Sequence, residues 1–131
     1  MTKRGSATYV VNTSDEFDRW WAACSEALQD AIAAHVGLLE RIGPQLGCPY
    51  ADTLGGSTIS NLEEFRVQHH GRAYRILYAF DVRRDAFDVR RETLLLLAGI
   101  KSDEKRWYRR AIRRAETIWE RHLEPLEEHD G

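Results

Sequence analysis

The sequence predicts an α+β domain in which helices pack on an antiparallel sheet, in the order β-α(-α)-β-β-β-α. Three observations carry that expectation. Apolar residues recur at spacings of three and four from Phe17 to Ile42, three β-like runs lie between Leu62 and Gly99, and helical periodicity returns after Ser102. At 131 residues and 43% apolar content the chain suits one domain, 1–131, with a modest core. The longest apolar run, Leu94 to Ala98, is far below the roughly 18 residues a membrane span needs, and no signal-peptide pattern follows Met1. A cytoplasmic protein without a membrane partner is expected.

The first element is the short β-branched run Thr8 to Asn12. Thr13 and Glu16, three apart, then form a capping box that opens a helix. Trp20, Trp21, Cys24, Leu28, Ile32, Val36, Leu39 and Ile42 give that helical region one apolar stripe. Ser25 can cap a second helix after a break near Cys24, so the region is either a tight helical pair or one long bent helix. Gly43-Pro44 ends it, and a connection rich in glycine, proline and small polar residues runs on to Asn61.

Leu62 to Gln68 and Ala73 to Val82 read as two strands joined by a turn at His69-His-Gly-Arg72. In the first, Phe65 and Val67 oppose Glu64, Arg66 and Gln68. In the second, Tyr74, Ile76, Tyr78 and Phe80 oppose Arg75 and Leu77. One face is therefore core and the other gathers Arg66 and Arg75. Leu94 to Ala98, apolar on both faces, fits a strand covered on both sides. The last helix places Trp107, Ala111, Ala115, Ile118 and Trp119 together and is expected to end near Pro125.

A tandem duplication interrupts this plan: Ala79-Phe-Asp-Val-Arg-Arg-Asp85 is followed at once by Ala86-Phe-Asp-Val-Arg-Arg-Glu92. Seven is odd, so an insert within one strand reverses every later side chain unless a bulge or loop absorbs a residue. The repeat at 79–92 leaves three outcomes open: a loop, a protruding hairpin, or strand exchange that makes a homodimer.

Net charge is −2, which argues against binding nucleic acid by bulk positivity. The distribution is uneven. Lys101 to Arg114 holds seven basic residues against Asp103 and Glu104, a local excess of 7 − 2 = +5. Cys24 and Cys48 lack metal spacing and read as free thiols. His69 and His70 read as turn residues, and His35, His122 and His129 have no partners at metal-ligand spacing.

Asn61-Leu-Glu-Glu-Phe-Arg66, Gly71-Arg-Ala-Tyr-Arg-Ile-Leu-Tyr-Ala-Phe-Asp81, Leu94-Leu-Leu-Leu-Ala-Gly-Ile-Lys101 and Trp107-Tyr108, in that order and spacing, resemble the phage-derived HigB-like toxins of the RelE/ParE superfamily. The likeness covers about Tyr9 to Leu123, and the duplication departs from it. It implies a RelE-like fold and an mRNA-cleaving toxin that acts in the ribosomal A site and is neutralised by a helix-turn-helix antitoxin. A ParE-like gyrase poison, or a degenerate member that only binds antitoxin or nucleic acid, are the alternatives.

The chemistry such a toxin needs can be set against these residues. Attack by the RNA's own 2′-hydroxyl requires a proton acceptor, cations on the pentavalent phosphate and a proton for the leaving oxygen, with no metal or other cofactor. Arg66, Arg75 and Lys101 are candidates for the phosphate. Tyr108 is a candidate for stacking or proton transfer, and Arg72, Trp107, Lys105 and Arg109 for RNA contact. Each has a plainer alternative: Arg66 and Arg75 pair with Glu63 or Glu64, Lys101 is an exposed residue before a helix, and Trp107 and Tyr108 belong to the core.

Overall fold

In the computed structural model, residues 9–47, 50–81, 92–101 and 104–130 are described, with side chains as far as Leu123 apart from those of Pro44 and Glu104. Strand β1 (Val10–Thr13) leads into α1 (Asp15–Ala22) and α2 (Glu26–Ile42). A 3₁₀ turn at Gly43–Gln45 and strand β2 (Ala51–Thr53) precede β3 (Leu62–His69), β4 (Arg72–Asp81), β5 (Glu92–Ile100) and α3 (Glu104–Asp130). The strands form one sheet in the order β1-β5-β4-β3-β2.

The α+β class and the predicted element order are realised, with two additions. One is β2, three residues inside the Gly-rich connection that pair with Phe65, Glu64 and Glu63 of β3. A segment this short carries no alternation of its own; its pairing is imposed by β3. The other concerns direction. β2 to β5 are antiparallel, but β1 runs parallel to β5, with Val10 opposite Glu92 and Thr13 opposite Leu95. A strand that leaves through two helices is not held to the reversal a tight hairpin enforces.

The helical region is the tight pair. Ala23 and Cys24 break it, and the Ser25 hydroxyl accepts from the Leu28 amide at 3.1 Å. The first cap shifts by one residue from the expected Thr13. Thr13 stays in β1 and donates its hydroxyl to Asp18, while Ser14 accepts from the Phe17 amide at 3.0 Å and donates to the Leu96 carbonyl at 2.7 Å. One buried hydroxyl thus both caps α1 and fastens it to β5. Past α2, Gly43 has φ 69°, and a Cβ there would collide with the Tyr9 ring.

The two sheet faces carry separate cores. Phe65, Val67, Tyr74, Ile76, Tyr78, Phe80 and Leu95 pack with Phe17, Leu28, Ile32 and Leu39 beneath α1 and α2. Leu62, Leu77, Ala79, Leu94 and Leu96 pack with Ala111, Ala115 and Ile118 of α3. The face expected to gather arginines is therefore apolar along much of its length. The alternation slips once: Leu97 faces Leu77 and Leu95 faces Tyr78, so Leu96 is an extra residue that turns to α3 beside Leu97. The β3–β4 turn is a two-residue reversal with positive φ at His70 (51°) and Gly71 (75°), the mirror-image turn that suits twisted hairpins.

Helix α3 continues past Pro125 to Asp130 instead of ending there. Proline removes one amide donor and tends to kink a helix, a local disturbance within an element of 27 residues. Of the duplication, Ala79 to Asp81 and Glu92 are described, with Asp81 opposite Glu92; Val82 to Arg91, and with them the hairpin or exchange outcome, lie outside the described residues, as does Cys48. Cys24 donates its thiol to the Trp20 carbonyl at 3.3 Å, and burial raises its pKa. Among the described residues no helix is long and apolar enough to cross a membrane.

Replacing Ser14 by Ala should lower unfolding free energy by about 1–2 kcal/mol, the cost of losing a helix cap and leaving a buried carbonyl unsatisfied. Urea titration followed by tryptophan fluorescence checks this, with Thr13→Ala, the neighbouring hydroxyl that does not cap, expected to change far less.

Candidate functional site

Strand alternation puts Leu62, Glu64 and Arg66 of β3 on the α3 face. The β3–β4 register then sets Arg66 directly opposite Arg75. Two like charges facing each other across a pair of strands destabilise it unless an anion intervenes. Glu64 is that anion. Its carboxylate lies 3.1 Å from Arg66 Nε and 3.5 Å from Arg75 Nε, although the residue is only 1% exposed. A carboxylate this buried persists only with partners on both oxygens.

Helix α3 supplies the third partner. The Tyr108 hydroxyl donates to Glu64 Oε1 at 2.6 Å and accepts from Arg75 Nε at 3.3 Å. Arg75 also donates to the Tyr74 carbonyl at 3.1 Å, and Arg66 reaches Asp52 of β2 at 3.1 Å. The Arg75 side chain is 11% exposed against 38% for Arg66, so the cluster has a closed end at Glu64 and an open end at Arg66. Burial, and then the bond to Glu64, push the Tyr108 pKa up, while Arg75 opposes them. Tyr108 is therefore a phenol at neutral pH, with its proton directed at a carboxylate. On the other face, burial raises the pKa of Glu63, and burial together with Glu63 raises that of Tyr78.

Arg66, Arg75 and Tyr108 thus meet in one cluster, and the predicted pairing of both arginines with Glu64 is part of it. Lys101 follows β5 on the same face: Arg75 opposes Gly99, and Lys101 is two residues on, with its amide donating to the Ala73 carbonyl at 2.9 Å. That is the diagonal position, about 7–8 Å from a cross-strand neighbour. Trp107 is half-buried against the second core, its indole lying over Gly99, and its ring meets that of Tyr108 edge-on at 5.1 Å. Packing accounts for Trp107 more fully than an open stacking platform does.

The remaining candidates lie apart. Arg72 is exposed beside the turn, on the face opposite Arg75 by alternation. Lys105 and Arg109 are exposed on α3, one helical turn apart. Sequence reasoning treated Glu64 only as a partner for arginine, whereas it is the centre of the cluster. The available signal was its placement two residues before Arg66 on one strand face.

The histidines with described side chains have contacts elsewhere. His122 contacts the buried Asp81 at 2.9 Å at the far end of the sheet, and His35 Nδ1 lies 3.0 Å from the Ala31 carbonyl within α2. His69 and His70 meet edge-on in the turn. Among the described residues no group of three or more His, Cys, Asp or Glu is placed to hold a metal ion.

Residues 19–120, well over half of the chain, match the family of phage-derived Gp49-like proteins. The chain belongs to that family. Glu64, Arg66, Arg75, Lys101 and Tyr108 all fall within the matched stretch. Two Mycobacterium tuberculosis proteins are similar to this Gp49-like chain. One, named "Putative toxin HigB2", is 33% identical over 116 residues, which span 87% of this chain and 54% of the relative. The other, named "Putative toxin HigB3", is 37% identical over 94 residues, spanning 71% and 75%. The chain therefore covers about half the length of the first and three quarters of the second. These names agree with the HigB-like resemblance seen in the sequence, and no solved structure gives a significant match.

The raised Tyr108 pKa has a defined consequence for pH. A group whose folded pKa lies above its unfolded value contributes stability that is present below the unfolded value, near 10 for tyrosine, and lost as pH rises through the folded one. In ¹³C-tyrosine spectra Tyr108 should titrate above pH 10, and Glu64→Gln should move that titration down. A Tyr108 resonance that titrates identically in both proteins would contradict the geometry.

Proposed function

We propose that this chain is the toxin of a toxin–antitoxin pair and that it cleaves mRNA on the ribosome, thereby inhibiting translation in the bacterial cytoplasm. The observation that carries the reading is the pair of opposed arginines held by one buried carboxylate, with a tyrosine hydroxyl bridging that carboxylate and Arg75. The names of the two mycobacterial relatives support the toxin assignment.

The proposed chemistry follows from these contacts. A backbone phosphate enters at the open end, where Arg66 lies, and Arg75 and Lys101 add positive charge as the phosphorus becomes pentavalent. The RNA's own 2′-oxygen forms a bond to phosphorus while the bond to the 5′-oxygen breaks. Tyr108 accepts the 2′-hydroxyl proton as its own passes to Glu64, a relay that the 2.6 Å bond already prepares. The departing 5′-oxygen takes a proton from water, and the hydroxide so formed is neutralised as Glu64 returns its proton through Tyr108, which restores the site. The products are a 2′,3′-cyclic phosphate and a 5′-hydroxyl, and no metal or other cofactor is needed. Lys105 and Arg109 extend positive charge along the helix for the RNA backbone, and Arg72, on the other face, would meet a separate part of the ribosome. The neutralising partner is a helix-turn-helix antitoxin.

Induction in a bacterial host should arrest growth and shorten translated mRNAs. Tyr108→Phe and Arg75→Ala should each slow cleavage by about 10²-fold or more, the usual cost of losing a proton-transfer group or a phosphate contact. Growth arrest with intact mRNA and induced DNA damage would replace this reading with gyrase poisoning. Harmless overexpression would leave a protein that only binds.

A further inference from the structure

Arg66 is held differently on its two sides. Its Nε meets the buried Glu64, whereas its Nη2 lies 3.1 Å from Asp52 Oδ2, on a side chain that is 49% exposed. Asp52 stands opposite Glu64 in the β2–β3 register, which makes Arg66 its diagonal neighbour on the same face. The backbone fixes that placement. The Thr53 amide donates to Asp52 Oδ1 at 2.8 Å, and the Arg66 amide donates to the Tyr50 carbonyl at 2.8 Å, so the start of β2 is tied to Arg66 itself. A carboxylate therefore stands on the outward side of the guanidinium, at the open end of the cluster.

Charge gives this contact a consequence. The two guanidinium charges of Arg66 and Arg75 are balanced by the two carboxylates of Glu64 and Asp52, so a phosphodiester gains fully from the arginines only if one carboxylate gives way. Glu64 is the wrong one to move, because it is buried and holds both arginines. Asp52 can yield, since an exposed ion pair is weak and its carboxylate meets water as it turns away. The exchange is then a competition of concentrations. Asp52 is tethered beside Arg66 at an effective concentration on the order of millimolar or higher, which a dilute free RNA fragment does not match. A phosphodiester of an RNA already bound at other points is itself tethered and competes on equal terms.

We propose that Asp52 is a specificity-determining residue that yields Arg66 to a phosphodiester only when the RNA carrying it is already held elsewhere. The inference rests on the RNA-cleaving reading above and gives that site a reason to prefer docked message over free RNA. Glu64 sets the geometry of the arginines, and Asp52 sets which anion reaches them.

The exchange can be read on the full chain with inorganic phosphate, apart from any cleavage assay. In ¹⁵N spectra phosphate should shift the Arg66 Nε–H resonance, and Asp52→Asn, which keeps an oxygen for the Thr53 amide, should bind it about fivefold tighter or more. Asp52→Glu keeps the charge and should stay within about twofold of the wild type. Asp30→Asn removes an equal charge from the exposed surface of α2 and should leave phosphate affinity unchanged. In cleavage, Asp52→Asn should speed the cutting of a free oligoribonucleotide about fivefold or more, with less than about a twofold change on ribosome-bound mRNA. An Arg66 resonance that phosphate does not move, no gain in Asp52→Asn, or an equal gain in Asp30→Asn would overturn the proposal. So would weaker phosphate binding by Asp52→Asn, because Asp52 would then help Arg66 to hold the anion, and so would equal rate gains on free and ribosome-bound RNA. If the wild type cuts no RNA in either setting, the cleavage reading fails, and the phosphate comparison still decides whether Asp52 guards Arg66.

Discussion

A carboxylate with almost no access to water holds the arginine–tyrosine cluster of this protein together. Glu64 is costly to bury as an anion, and the fold offsets that cost with two guanidinium groups and a phenol from three separate elements. The dependence runs both ways. Without Glu64 the opposed Arg66 and Arg75 would repel across the β3–β4 ladder, and without them Glu64 would be an unpaired buried charge. Tyr108 joins the helix to this arrangement, so the start of α3 is positioned by a polar contact as well as by Trp107 and Ala111 in the core.

The rest of the frame explains why the cluster sits where it does. The sheet is covered on both faces, by α1 and α2 on one side and by α3 on the other. Most of the α3 face is filled by Leu62, Leu77, Ala79, Leu94 and Leu96. Toward the β3–β4 turn the strand residues change to Arg66, Arg75, Gly99 and Lys101, and the apolar layer gives way to charge. Gly99 places no side chain opposite Arg75, which leaves that room to the Trp107 indole. The extra residue at Leu96 lies between the two regions and keeps Leu96 and Leu97 both on the α3 side.

Much of this was legible in the sequence because it follows from period alone. Alternation assigned Phe65, Val67, Tyr74, Ile76, Tyr78 and Phe80 to one face, and the Ser25 cap and the His70-Gly71 turn rest on local chemistry. What escaped depends on contacts far apart in the chain. β2 exists through its pairing with β3, the parallel direction of β1 follows from how the helices return the chain, and Ser14 outcompetes Thr13 as a cap because its hydroxyl also reaches Leu96, 82 residues away. The same limit hid the role of Glu64. Its nearness to Arg66 is local, but its burial depends on Arg75 and on Tyr108, 44 residues further on.

The central claim is that Glu64 and Tyr108 act as one unit on the substrate proton. A double-mutant cycle on the rate of mRNA cleavage tests it most directly, using Glu64→Gln, Tyr108→Phe and the combined variant, each checked for folding. Groups that act as a unit are not additive, so the double variant should cleave within a few fold of the slower single variant. If the two losses instead multiply, Glu64 and Tyr108 act independently, and the relay account is contradicted.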